Sequence, residues 1–336
     1  MKNTKIQVLI PTLNNVDDID VTLESIWNQT ISMEDVYVTV MDFGSTDGTY
    51  EKLLRHNNFH YGVYRNPVTQ NHRLMISYLM KMQKYFDFEV QYPLRTILYP
   101  GDILYPDYME ICSDVMIESW GHNPTMLISE SDIWGACEKK AQLPLFEKDC
   151  IIDGSKNITL FSDRGYRHQI QCLLPMFQSY SNGLKRFYGE MNEQRWWNKL
   201  YLRNIGRKSI YLRKPLSCQK PVLYDDESEE ILYRWESIIT NLRHYAAKNG
   251  EIFDTRFEES AKKNLSEYAL WRGYLLLQQH NNKCQKEATD CILLSGIIFP
   301  KIKENDLYLE LSGLAAGEDN VNKGYLDKYF ESHGMN

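Results

Sequence analysis

Strand and helix signals alternate through the first 110 residues, and that alternation constrains the fold more than any other feature of this chain. Residues 5–10 form a short apolar run closed by Pro11, the pattern of a buried strand. Asp17 or Asp18 then stands where a helix can be capped. Ile19, Leu23, Ile26 and Trp27 recur at helical spacing on one face. Residues 36–41, Val-Tyr-Val-Thr-Val-Met, predict a second strand from their β-branched and aromatic content. A turn and a short helix over 50–56 follow, then a strand over 60–64, a helix over 73–86 and a strand over 95–99. Strands joined by crossovers of about 15–30 residues pair in parallel, so the expectation is an α/β fold, a mostly parallel sheet with helices on both faces.

Beyond residue 120 the pattern is mixed. Short strands are expected over 125–129 and 209–212, and a helix over 193–204. After the acidic run at 225–230 the character changes. Ile231, Trp235, Ile238, Ile239, Leu242 and Tyr245 share one helical face, and further helices are expected over 256–280, 283–298 and 304–314 with no strand among them. A chain of 336 residues suits about two domains. The boundary is placed at 228, with residues 1–228 as one domain and 229–336 as an α-helical C-terminal domain.

Charge and cysteine usage narrow the setting. Against 38 Lys and Arg stand 45 Asp and Glu, a net charge of −7, so no bulk basic surface invites nucleic acid. A phosphate-bearing ligand must be held by a local site. The most apolar stretch, 291–299, is broken by Ser295 and Gly296 and falls short of the ~18 residues a membrane span needs. The N-terminal apolar run is too short for a secretory signal. The seven cysteines are scattered without a C-x-x-C pair, which points to reduced thiols and a cytoplasmic location. Peripheral membrane association and a homo-oligomer are left open.

Open α/β sheets bind ligands outside the carboxyl ends of their strands. Three such ends here carry unusual polar residues. They are Pro11-Thr12-Leu13-Asn14-Asn15, Asp42-Phe43-Gly44-Ser45-Thr46-Asp47-Gly48-Thr49 and Tyr99-Pro100-Gly101-Asp102, and the first helix closes on Ser25-Ile26-Trp27-Asn28-Gln29-Thr30. In this order the segments resemble the inverting family 2 glycosyltransferases with the GT-A fold, over about residues 5–110 and more loosely over 160–225. The resemblance implies that the backbone of Pro11, Thr12, Leu13 and Asn14 meets the base of a UDP-sugar donor. It implies that Asp42 accepts from a uracil N–H or a ribose hydroxyl. Arg65 and Arg73 are candidate diphosphate partners, because guanidinium suits phosphate geometry. Phe43, where many members carry a second acid, either stacks on a base or packs. The family also holds Mn²⁺ or Mg²⁺ on an acidic pair at the fourth strand end. That pair falls here on Tyr99 and Gly101, and Asp102, one position on, is the assigned ligand. Asp102 is alternatively a cap for a helix starting near Pro106, and either arginine is alternatively a solvated charge.

Inverting transfer needs a carboxylate base beside the acceptor hydroxyl. The matching segment is Gly189-Glu190-Met191-Asn192-Glu193-Gln194-Arg195-Trp196-Trp197, with Gln194 at the base position. Glutamine cannot take a proton, so Glu193 and Glu190 are the candidates. Glu193 is alternatively a favourable charge at a helix N-terminus. One of the two tryptophans can stack on an acceptor sugar. The implied activity is transfer of a sugar from a UDP-sugar to a hydroxyl of a glycan or glycosylated acceptor with inversion, in bacterial-type surface polysaccharide or glycoprotein glycan assembly. The acids missing at positions 43, 99, 101 and 194 motivate an alternative, a non-catalytic partner subunit or glycan-binding module of the same fold. A nucleotidyltransferase would show a Gly- and Arg-rich loop after the first strand, and none is present.

Overall fold

The computed structural model of the chain describes residues 5–56, 60–66, 75, 94–122, 124–134, 139–140, 144–153, 170–175, 207–220, 227–249, 255–279, 281–318 and 321–332. The strands are β1 (Ile6–Thr12), β2 (Val36–Asp42), β3 (Tyr61–Arg65), β4 (Leu94–Ile97), β5 (Ile103–Leu104), β6 (Pro124–Trp134), β7 (Lys139–Lys140), β8 (Cys150–Asp153), β9 (Ile170–Pro175) and β10 (Lys208–Gln219). With them go helices α1 (Ile19–Trp27), α2 (Thr49–Leu53) and α3 (Tyr108–Glu118). The expected helices over 73–86 and 193–204 lie outside the described residues, Met75 excepted.

The sheet runs in the order β3-β2-β1-β4-β9-β6-β10-β5. β1 pairs in parallel with β2 on one side and β4 on the other, and β2 pairs in parallel with β3. The chain therefore winds outward from β1 to β3 and returns to the opposite side of β1 as β4. That reversal is a topological switch point, where a crevice opens at the strand carboxyl ends. Every residue of β1 is buried, as a central parallel strand covered on both faces requires. Ile19, Leu23 and Ile26 of α1 lie in the same core as Val8, Ile10, Val38 and Val40, and Trp27 packs partly against it. The expected fold class is thus the observed one, a GT-A type sheet with helices about it and helices following in sequence.

Three features depart from the sequence reading. β9 runs antiparallel between β4 and β6, a long-range pairing with no local signal. β10 extends over 12 residues rather than the four expected, and pairs with β6, β5 and β8. Asp18 stands at the N-cap of α1 but makes no capping bond, because its carboxylate accepts from the Lys220 ammonium at 2.6 Å.

The described residues fall into two compact units, one with the sheet above except β7 and a second that holds β7 and the helices from 227 onward. The second contains α4 (Glu227–Asn249), α5 (Thr255–Leu277), α6 (Asn282–Ile298), α7 (Asp306–Ala316) and α8 (Lys323–Ser332). Its core joins Ile231, Leu265, Ala269, Ile292, Leu311 and Phe330. Arg272 and Glu227, both buried, form an ion pair within it, and Tyr274 stacks on Phe330 at 4.8 Å.

Candidate functional site

The parallel register aligns the strand ends. Thr12 stands opposite Asp42, and Asp42 opposite Arg65, so β1, β2 and β3 deliver their polar termini side by side. The loops that follow are laced together. The Asn14 N–H donates to Ser45 Oγ at 2.9 Å, and the Thr46 N–H donates to Asn14 Oδ1 at 2.9 Å. The Asn15 N–H donates to Thr49 Oγ1 at 2.9 Å and the Val16 N–H to Asp47 Oδ2 at 3.0 Å. Asn14 takes φ 55°, a left-handed conformation that Asn tolerates better than most residues. Burial tends to raise the Asp47 carboxyl, but hydrogen bonds from Thr49 and Val16 outweigh it and hold the group below its ordinary value.

Within this frame the expected donor residues take definite positions. Pro11, Thr12 and Leu13 are buried and Asn14 is exposed. The Thr12 carbonyl accepts from the Phe43 N–H at 2.9 Å, and the Leu13 N–H donates to Asn15 Oδ1 at 3.0 Å. Asp42 is fully buried. Its Oδ2 accepts from the N–H groups of Gly44 and Ser45 at 3.1 and 3.2 Å, and Arg65 Nε lies 3.3 Å away. Gly44 sits at φ 94°, which lets the chain fold back onto that carboxylate. Arg65 is the exposed member of the pair, 41% open, with its guanidinium over the Tyr50 ring at 4.5 Å. Phe43 is fully buried, so its ring packs into the core. Arg73, Glu190, Glu193, Gln194, Trp196 and Trp197 lie outside the described residues.

The loop after β4 is built as tightly. The Asp102 N–H donates to the Tyr99 carbonyl at 2.9 Å, closing a turn with Pro100 and then Gly101 at its centre. Gly101 takes φ 97°, the conformation that a Pro-Gly turn of type II demands. The Asp102 carboxylate clamps this turn: Oδ2 accepts from the Tyr99 N–H and Oδ1 from the Lys220 N–H, each at 3.0 Å. Asp102 is therefore not the cap of α3, whose N-cap is Asp107. Helix α1 grips the same loop from beneath. Thr22 Oγ1 accepts from the Gly101 N–H and donates to the Asp102 carbonyl, both at 2.8 Å. Ser25 Oγ accepts from the Leu104 N–H at 3.2 Å, while the Gln29 amide donates to the Tyr105 carbonyl and accepts from the Met109 N–H. The Ser25 and Gln29 of the sequence motif thus act as hooks for the third polar loop.

Whether these residues fit a divalent cation follows from the same geometry. Both Asp102 oxygens already accept a main-chain N–H, and the residue is buried. No group of three His, Cys, Asp or Glu side chains able to hold a metal occurs among the described residues. The Mn²⁺ or Mg²⁺ expected here would rest on the remaining lone pairs of Asp102, with donor phosphate oxygens and water completing its shell.

Long-range pairing adds residues that no local pattern marks. The Tyr105 hydroxyl donates to Asp132, near the carboxyl end of β6, and Ser131 meets Ser217 at 2.6 Å. Burial and then the Asp132 carboxylate raise the Tyr105 hydroxyl above its ordinary value, so it stays protonated and donates. Lys220 links to Asp102 across 118 residues of sequence and to Asp18 across 202. Among the described residues no helix is long and apolar enough to cross a membrane.

No family model matches this sequence, and no curated protein matches it either. Similarity appears in three dimensions. The 1–349 fragment of TarS from S. aureus superposes with a TM-score of 0.54 at 14% identity, covering 98% of this chain and 92% of that one. The same fragment with UDP-GlcNAc gives 0.54 at 14% identity, covering 98% and 92%. With UDP it gives 0.52 at 14% identity, covering 94% and 92%. These likenesses carry the fold alone, an α/β sheet of the GT-A type.

Proposed function

We propose that this chain is an inverting glycosyltransferase that moves a sugar from a UDP-linked donor to a hydroxyl of a glycan acceptor. The observation that carries the reading is the set of three polar loops about the switch point between β1 and β4, the first two interlaced with each other and the third held by α1. TarS, similar in fold, is known with UDP and with UDP-GlcNAc. In this reading the Pro11–Asn14 segment and Asp42 border the base and ribose, and Arg65 and Arg73 face the diphosphate. Residues 1–228 carry the reaction, and 229–336 form the accessory helical domain. Bacterial-type surface polysaccharide or glycoprotein glycan assembly in the cytoplasm is the proposed setting.

The chemistry assigned to the protein's own groups is short. Glu193, or Glu190 if Glu193 is dispensable, takes the proton of the acceptor hydroxyl as that oxygen bonds to the anomeric carbon. The anomeric C–O bond to the diphosphate breaks on the opposite face, and its electron pair stays on the phosphate oxygen of the departing UDP. A divalent cation held at Asp102 would supply further stabilisation of the leaving diphosphate.

Gln194 at the base position favours a second reading, a non-catalytic partner subunit or glycan-binding module with the same fold. A panel of UDP-sugars with glycan acceptors, read as UDP release, separates the two. Turnover that falls about 10²–10⁴-fold in Glu193→Gln, or in Glu190→Gln, with UDP affinity unchanged supports the enzyme. UDP binding without release by any donor supports the second reading.

A further inference from the structure

We propose that the Lys220 ammonium is a further fixed cation on the donor diphosphate, beside Arg65 and Arg73, and that Asp18 holds it in place as an internal competitor. The inference rests on the donor reading above and adds a group that answers the diphosphate charge. Lys220 follows β10 directly, and three anchors define its course. Its N–H donates to Asp102 Oδ1 at 3.0 Å. Its aliphatic stem lies on Gly101, where an added Cβ would come within 2.7 Å of Lys220 Cδ. Its ammonium reaches Asp18 Oδ1 at 2.6 Å, at the N-cap of α1. One side chain is thereby stretched from the loop after β4 to the loop after β1. The donor reading puts the base side at the β1 and β2 loops. A donor that runs from there toward the β4 loop would carry its diphosphate across the interval that this ammonium spans.

Two further observations support the assignment. Both oxygens of Asp102, the carboxylate that a cation-dependent site would offer, already accept main-chain N–H groups, which leaves a role for a cation supplied by a side chain. The Lys220–Asp18 pair is open to solvent, 45% and 29% exposed, and pairs of that kind are weakly held. A diphosphate brings more negative charge than one carboxylate and can displace Asp18. During transfer the electron pair of the breaking anomeric C–O bond settles on the phosphate oxygen. The Lys220 N–H groups donate to that oxygen without giving up a proton.

Calorimetric titration of the full chain with UDP and with uridine, in EDTA, tests the inference. Wild type should bind UDP more tightly than uridine. Lys220→Met, which keeps the stem on Gly101, should lose UDP affinity about ten- to hundredfold with uridine unchanged, the range for a hydrogen bond to a charged group. Lys220→Arg should retain most of the preference. Asp18→Asn should move the other way, raising UDP affinity severalfold, which a merely structural ion pair would not do. An unchanged UDP-to-uridine ratio in Lys220→Met overturns the inference while the donor reading stands, as does weakened UDP binding in Asp18→Asn. Wild type that binds neither ligand refutes the donor reading and this inference with it.

Discussion

Removing the Asp42 carboxylate tests whether the second polar loop is built as the structure shows. The group is fully buried, and its oxygens accept the N–H groups of Gly44 and Ser45, both themselves buried. Asp42→Ala leaves those two donors without an acceptor, at about 1–3 kcal/mol each, or about 2–6 kcal/mol together. Arg65 adds little to this sum because 41% of its side chain is already in water. A loss of that size is a large part of the ~5–15 kcal/mol that holds an ordinary protein folded. Urea unfolding gives the magnitude, and native-state hydrogen exchange locates it, since the Gly44 and Ser45 amides should lose protection before the rest of β2. Asp42→Asn, which keeps one accepting oxygen, should show a smaller loss. A loss under about 1 kcal/mol in Asp42→Ala, with both amides still protected, would refute the reasoning.

Other perturbations follow from the same contacts. Gly101→Ala places a Cβ 2.7 Å from Lys220 Cδ at φ 97°, so it should destabilise the sheet unit by about 1–3 kcal/mol in a urea melt. Arg272→Met strands the buried Glu227 and should destabilise the helical unit by about 3–5 kcal/mol, with Glu227→Leu added in the same chain recovering most of the loss. The Asp47 carboxyl is held below its ordinary value of 3.8, so its stabilising effect is complete above that pH and fades as pH falls through the lower folded value. The melting temperature should therefore drop below about pH 4, and Asp47→Asn should remove that part of the acid dependence.

Local chemistry explains which parts of this architecture were readable in advance. β1 and β2 are covered on both faces, so they appear as mostly apolar runs whose interior polar residues Gln7 and Thr39 bond to each other, and the α1 face shows as Ile19, Leu23 and Ile26 at helical spacing. The Asp42–Thr49 segment announces a turn because Gly44 and Gly48 are placed where φ is positive. What was not readable depends on distant partners. Asp102 looks as much like a helix cap as a metal ligand, and its place in the turn is set by the Lys220 N–H that β10 brings to it across 118 residues. Asp18 looks like a cap until the same lysine claims its carboxylate. Tyr105 and Asp132 meet only because β5 and β6 both flank β10, a pairing that no periodicity in either segment encodes. Ser25 and Gln29 stand out in the sequence only within the motif that closes α1, and Thr22 does not, because their role is set by residues they hold about 80 positions further on.

Hydrogen–deuterium exchange of the full chain with and without saturating UDP tests the central claim most directly, because it reports where the nucleotide sits without presuming any step of the reaction. The account predicts slower exchange at 11–15, 42–49 and 99–105, the three loops at the carboxyl ends of β1, β2 and β4, and no change across α6, α7 and α8. Unchanged exchange in all three loops at saturation, or protection confined to the helices after 227, would contradict it.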